Sequence, residues 1–293
     1  MPLTLLDGGT GQELKRLGAP FRNPEWSALA LMEAPDYVSR VHRGFIDAGA
    51  DVVTTNSYAV VPFHIGAERF ARDGASLAAL AGRLAREAAD KAPRKVRVAG
   101  SLPPVCGSYR PDWFDAKAAR PLLRTLFESL APCVDFWLAE TLSSVAEAEL
   151  VRDVLDTDPK PLWLSFTLED VPSVPGQSRL RSGELAGDAV SAAARLGAAA
   201  VLFNCSQPEV MGDAIAVARS ALPGLAVGVY ANAFTPQGAD AQANNEDTPL
   251  RLDVTPTAYL EFARRWVGLG ATIVGGCCGV GPAHIRLLRD ALA

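Results

Sequence analysis

Eight short β-rich runs, separated by stretches with helical spacing, limit what this chain can fold into. The runs are LTLLD (3–7), DVVTTNS (51–57), VRVAGSL (96–102), DFWLAET (135–141), PLWLSFT (161–167), AAVLFNC (199–205), LAVGVYAN (225–232) and ATIVGGCC (271–278). Most are nearly continuous in apolar residues, as strands buried on both faces should be. Between them, Tyr37, Val38, Val41 and Phe45 share a helical face, and Leu122, Leu123, Leu126, Phe127 and Leu130 form a cleaner stripe. Three of the helical stretches end in Gly-Ala just before the next run, at DAGAD (47–51), RLGAAA (195–200) and GLGAT (268–272). Glycine there suits a left-handed helix C-cap. The alternation predicts an α/β fold, a (β/α)8 TIM barrel, with residues 1–293 as one domain. A doubly wound open sheet is the alternative, but DGGTGQE after the first run lacks the G-x-G-x-x-G dinucleotide spacing.

Composition excludes some functions. A net charge of −5, with no block of like charge, argues against a nucleic-acid partner. No run approaches the roughly 18 apolar residues of a membrane span, and MPLTLLDGGT carries neither a basic n-region nor a long apolar segment. The expectation is a soluble, cytoplasmic protein acting on small molecules without a membrane. No helix face declares itself an interface, so the oligomeric state stays open. The five cysteines are odd in number and scattered, which does not suggest a disulfide framework. In a reducing compartment, paired cysteines point to metal or catalysis first.

In a barrel of this kind, reactive groups come from the C-terminal ends of the strands. Asp7 ends the first run, Asn56 and Tyr58 close the second, and Glu140 and Thr141 close the fourth. Asn204 and Cys205 close the sixth, and Cys277 and Cys278 the eighth. Three thiols therefore converge on one mouth, where they can bind zinc and leave a fourth position open. The competing reading is three buried small residues. Adjacent ligands need an unusual backbone, which glycine at 275, 276 and 279 permits, including φ > 0. Zinc held by three thiolates is soft, and suited to keeping another sulfur as a thiolate near neutral pH. That points to a thiol substrate and to attack by its sulfur. The long irregular stretches 101–115 and 231–256 follow strands on this same face. His42, His64 and His284 are too scattered for a metal cluster, and His284 reads as packing or capping the last helix. Cys106 and Cys133 match no ligand position, and RLRSGE (179–184) has no assigned role.

LLDGGTGQEL at the start, TTNSY after the second run, AET, FNC and GGCCGVGPAHI occur in order along nearly the whole chain. In these pieces the chain resembles the homocysteine S-methyltransferase family. The resemblance implies a zinc-dependent barrel enzyme that methylates L-homocysteine to methionine. Cys205, Cys277 and Cys278 would hold Zn2+, with the homocysteine sulfur as fourth ligand. Asp7 and Glu140 match positions that bind the amino-acid end of homocysteine. An ammonium suits carboxylates, and the substrate carboxylate suits the N–H groups of Gly8 and Gly9. Donors in the family are mostly onium compounds such as betaine or S-methylmethionine, which aromatic faces bind. Trp26 and Tyr58 match the donor side, Tyr109 and Trp113 are further candidates, and Asn56 and Asn204 are candidate supports. Many members carry Tyr-Pro-Asn-Ser-Gly after strand seven, whereas this chain reads YANAFT (230–235). It ends soon after the last run's helix, unlike betaine-dependent enzymes with a long C-terminal arm or cobalamin-dependent ones with further modules. Another thiol or selenol acceptor, a non-catalytic zinc-binding barrel and a metal-free barrel enzyme are the rival readings.

Overall fold

The eight runs form eight parallel strands: β1 (Thr4–Leu5), β2 (Val52–Thr54), β3 (Arg97–Leu102), β4 (Phe136–Leu142), β5 (Leu162–Phe166), β6 (Ala200–Asn204), β7 (Ala226–Tyr230) and β8 (Ile273–Val274). The structure, a computed structural model, describes residues 2–171, 174–238, 241 and 248–293. The sheet order is β1-β8-β7-β6-β5-β4-β3-β2, which is the expected barrel. First and last strands pair in register, Thr4 with Ile273 and Leu5 with Val274. Both are shorter than the runs that contain them, so Asp7 and the two C-terminal cysteines lie beyond the strand ends.

The seam between β1 and β2 is closed differently from the other pairs. One backbone bond crosses it, from Asp51 N to Leu5 O at 2.7 Å. Two others end on carboxylates: Leu5 N donates to Asp51 Oδ2 at 2.9 Å, and Thr54 N donates to Asp7 Oδ2 at 2.7 Å. Carboxylate oxygens here accept bonds that ladder carbonyls accept elsewhere, and a charged acceptor makes the stronger bond. The other Asp51 oxygen meets Arg289 at 2.5 Å and Arg94 at 3.4 Å. The seam is thereby tied to the last helix, Pro282–Leu292.

Strand side chains alternate between two apolar layers. Leu6, Val52, Phe136, Leu138, Trp163, Leu202 and Ile273 belong to a cluster that fills the barrel. Phe136 and Trp163 meet as tilted rings at 4.2 Å between centroids, and the Arg97 guanidinium lies 5.0 and 5.2 Å from the two rings. Arg97 opens β3, so this plug closes the N-terminal end. Val53, Val98, Trp137, Leu164 and Val201 face outward into the larger cluster shared with the helices. The two predicted stripes are observed there. Helix Pro35–Ala48 buries Val38, Val41 and Phe45, and helix Ala116–Leu130 buries Leu123, Leu126 and Leu130. The predicted C-caps are observed too: Gly49, Gly197 and Gly270 have φ of 108°, 67° and 104°. Among the described residues no helix is long and apolar enough to cross a membrane.

Asp51→Ala leaves the Leu5 N–H and two guanidinium groups without this acceptor, and is expected to lower unfolding free energy by about 1–3 kcal/mol. The check is a lower urea midpoint at unchanged m, with Asp51→Asn intermediate because its amide oxygen still accepts the Leu5 bond. An Asp51→Ala midpoint equal to wild type would show that the seam holds without the carboxylate.

Candidate active site

Every candidate residue except Asn204 and Trp113 lines one cavity at the C-terminal mouth, with ≈ 820 Å³ of empty space counted out to solvent. Its floor is built by two glycine segments pressed together. A Cβ on Gly8 would lie 2.1 Å from Val280 O, one on Gly9 2.5 Å from Cys277 O, and one on Gly276 2.0 Å from Val280 Cγ1. No real side chain fits at those distances. The expectation that glycines 275, 276 and 279 serve backbone freedom holds in conformation only for Gly279, at φ +82°. At 275 and 276 the requirement is closeness of approach. A second correction concerns Gly9: its N–H donates to Val280 O at 2.9 Å, so it is already engaged and not free for a substrate carboxylate.

This contact sets Cys277 and Cys278 beside Asp7, and Cys205 completes the group from the end of β6. Cys205 has φ +53°, and its N–H reaches Tyr230 O at 3.3 Å. Cys277 N–H donates to Ala231 O at 2.9 Å, and Cys278 O accepts from Ala233 N–H at 2.8 Å. The three sulfurs lie within 4.8 Å of one another. Cys205 and Cys277 are joined as a disulfide across 72 residues, and Cys278 is a free thiol. The expected set of three cysteines is thus brought together, and with that bond reduced all three sulfurs are available to a metal. The donor set suits a thiophilic metal: zinc–thiolate bonds of about 2.3 Å in a tetrahedron put sulfurs about 3.8 Å apart. The three cysteines can hold a metal ion. Burial, then the charge of Glu140, pushes the Cys278 thiol up to about 12. A bound dication opposes both effects. Cys106, Cys133 and the three histidines stand outside the cluster.

Asp7 and Glu140 face the same cavity, and among the described residues neither has a basic partner. Asp7 accepts the Thr54 N–H at 2.7 Å and the Thr54 hydroxyl at 3.0 Å. Glu140 accepts the Ser101 hydroxyl, and the Tyr230 hydroxyl at 3.3 Å. Burial raises Asp7 to about 7 against the pull of the Thr54 bonds, and the Glu140 charge adds to the rise. Burial likewise raises Glu140 to about 7 against its two hydroxyl donors. Two buried acids without counter-ions make a cavity that attracts a cation.

Asn204 sits behind the wall. Its Oδ1 accepts Thr141 N–H at 2.9 Å and its Nδ2 donates to Thr141 Oγ1 at 2.8 Å, holding that residue at φ +61°. Asn56 lines the cavity and ties its loop to Ser27 O at 3.1 Å, next to Trp26. Trp26, Tyr58 and Tyr109 are the aromatic walls, with the Tyr58 hydroxyl 2.7 Å from Ser108 Oγ. His64 supports Trp26 from behind at 5.2 Å between centroids, a role the sequence did not signal. Burial holds His64 at about 4, so it is neutral. Trp113 is not in the cavity. It meets Phe63 at 5.9 Å and the Arg110 guanidinium at 4.0 Å. RLRSGE acquires a role through Arg181, which pairs with buried Asp170 at 3.0 Å, lies 5.0 Å from the Tyr109 ring and donates to Gln237 O at 2.9 Å. His284 caps its helix by accepting Gly281 N–H at 3.2 Å. Of the stretch 231–256, residues 239–240 and 242–247 lie outside the described residues.

A family profile described as homocysteine S-methyltransferase matches residues 4–292. Homocysteine S-methyltransferase of Escherichia coli (strain K12) is 30% identical, over 98% of this chain and 94% of its own length. Selenocysteine methyltransferase of Astragalus bisulcatus is 26% identical, over 96% and 90%. The crystal structure of the homocysteine methyltransferase MmuM from Escherichia coli in its metallated form superposes with a TM-score of 0.79, at 26% identity, over 99% of this chain and 96% of that one.

The raised Glu140 has two consequences of opposite sign in reduced, metal-free protein. Its folded value of about 7 lies above the unfolded one, so the associated stability is complete below roughly pH 4 and lost as pH rises through 7. Glu140→Gln is therefore expected to be more stable than wild type at pH 8, by on the order of 1–3 kcal/mol, with the difference gone near pH 4. Binding of an ammonium group needs the ionised acid, so wild-type affinity for an amino-bearing ligand should fall as pH drops below 7. Thermal melts across pH check the first expectation and ligand titrations the second. A pH-independent gap between variant and wild type would refute the first.

Proposed function

The chain belongs to the homocysteine S-methyltransferase family, and on that premise we propose that it moves a methyl group from an onium donor to the thiol of L-homocysteine, giving methionine. The observation that carries this reading is the shared cavity. Three cysteine sulfurs within 4.8 Å open onto the same space as two buried carboxylates without basic partners. An acceptor with a thiol at one end and an ammonium at the other matches both.

Cys205, Cys277 and Cys278 would hold zinc, which when bound supplies thiol activation and keeps a fourth sulfur deprotonated near neutral pH. The remaining work falls to the chain. Asp7 and Glu140 take the substrate ammonium, each oriented by its hydroxyl and amide donors. Gly8 lines the cavity beside Asp7, and its N–H suits the substrate carboxylate. The acceptor sulfur attacks the donor methyl in line. A new S–C bond forms as the donor's bond to that carbon breaks, and a neutral thioether or amine leaves with the electron pair. Positioning dominates catalysis, because the proton has already gone before transfer. A selenol acceptor is the second reading, favoured by the likeness to selenocysteine methyltransferase. We place the activity in one barrel domain spanning 1–293, in the cytoplasm, where thiols stay reduced.

Protein purified under reductant should carry about one zinc per chain, and Cys205→Ala should lose it. With L-homocysteine and a panel of S-methylmethionine, betaine and S-adenosylmethionine, methionine should form from at least one donor. Glu140→Ala should raise the homocysteine KM at least tenfold and leave zinc bound. Zinc without methionine from any donor would refute the proposed reaction, and absence of zinc after reduction and reconstitution would refute the metal centre.

A further inference from the structure

A second, smaller cavity adjoins the first, with ≈ 360 Å³ of empty space counted out to solvent. Trp26 and Cys278 belong to both walls. Among the described residues the smaller wall has no carboxylate and no other charged side chain. Phe21, Trp26 and Phe234 give it three aromatic rings, and the rest is glycine, neutral polar side chains and Cys278. We propose that this aromatic cavity seats the onium centre of the methyl donor, and that Phe21 and Phe234 are donor-specificity residues. The inference rests on the methyl-transfer reading above.

Charge separates the two cavities. The acceptor keeps its ammonium throughout the reaction, so fixed carboxylates suit it. The donor loses its positive charge as the methyl moves. An acid beside it would stabilise the charged ground state more than the transition state, and so oppose transfer. Aromatic faces bind an onium through the ring quadrupole and release a neutral product. Asp7 and Glu140 line only the first cavity, and the rings Phe21 and Phe234 line only the second. The shared boundary at Cys278 puts the aromatic cavity next to the three sulfurs, where a methyl must arrive.

Phe234 is held rigidly for this role. It is 7% exposed, its N–H donates to Asn232 Oδ1 at 3.2 Å, and its carbonyl accepts Gln207 Nε2 at 2.7 Å. It stands where many members of the family have the glycine of Tyr-Pro-Asn-Ser-Gly, so this ring is a feature of the chain itself. Phe21 already meets one cation, the Lys15 ammonium at 5.9 Å from its centroid. Lys15 is not in the wall of the cavity.

Trimethylsulfonium is the direct probe, because it has no amino-acid end to enter the acid-lined cavity. Calorimetry on reduced, zinc-loaded protein should show it binding wild type. Binding should weaken about five- to thirtyfold in Phe234→Leu and in Phe21→Leu, which keep apolar bulk but remove the ring. Phe234→Tyr should bind like wild type. The donor KM should rise in the same two leucine variants, while the homocysteine KM and zinc content stay within about twofold. No trimethylsulfonium binding to wild type, or equal binding to both leucine variants, would overturn the subsite. A loss of homocysteine affinity as large as the loss of donor affinity would overturn it as well. If wild type binds the probe but forms methionine from no donor, the proposed reaction fails and takes the donor assignment with it, leaving an onium-binding cavity.

Discussion

The site exists because the two ends of the chain press backbone against backbone. Gly8 and Gly9 meet the segment from Gly275 to Val280 at distances that exclude a β-carbon on the glycines. That contact extends the β1–β8 pairing past the strands, through Gly276 N to Asp7 O and Gly9 N to Val280 O, both 2.9 Å. It therefore closes the barrel and also brings Asp7 from the first strand against Cys277 and Cys278 from the last. Any side chain there would wedge the two segments apart. Both the seam and the cysteine cluster would then shift together.

Asp7 shows how closely closure and chemistry are joined. One carboxylate accepts the Thr54 N–H across the β1–β2 gap and faces the cavity. Burial works against its ionised form, as it does for Glu140, and among the described residues no basic side chain pairs with either. The large apolar layers beneath the mouth supply stability that offsets that cost. A cationic substrate end removes the cost on binding, so part of the affinity is stored in the two buried carboxylates.

Local backbone strain collects at the same mouth. Of the five non-glycine residues with positive φ among the described residues, Trp26, Tyr109, Thr141 and Cys205 line the cavity, and Asp156 lies elsewhere. Each of the four is held from behind. His64 packs on Trp26, the buried Arg181–Asp170 pair lies beside Tyr109, Asn204 grips Thr141, and Tyr230 O accepts from Cys205. Such conformations cost about 1–3 kcal/mol each and persist only when the surroundings over-determine them. The residues behind the wall thus matter to the site as much as those that line it.

The barrel was legible in the sequence because parallel strands buried on both faces need continuous apolar runs, and their helices need a stripe and a C-cap. The cysteines, Asp7 and Glu140 were legible because strand ends converge in such a barrel, so position along the chain translates into position at the mouth. Local pattern was silent on contacts between segments distant in sequence. It did not show that Gly275 and Gly276 serve close approach, that Gly9 N–H is engaged by Val280, that Cys205 and Cys277 lie close enough to bond, or that Arg181 backs Tyr109. The second aromatic cavity is of the same kind, since Phe21 and Phe234 lie more than two hundred residues apart. By itself the sequence determined the strand order and the chemical identity of the groups at the mouth, through periodicity and residue type. Only the tertiary structure decided which backbones touch, which carboxylates stay without a counter-ion and where charge is kept apart from aromatic surface, because those depend on distances that no local pattern encodes.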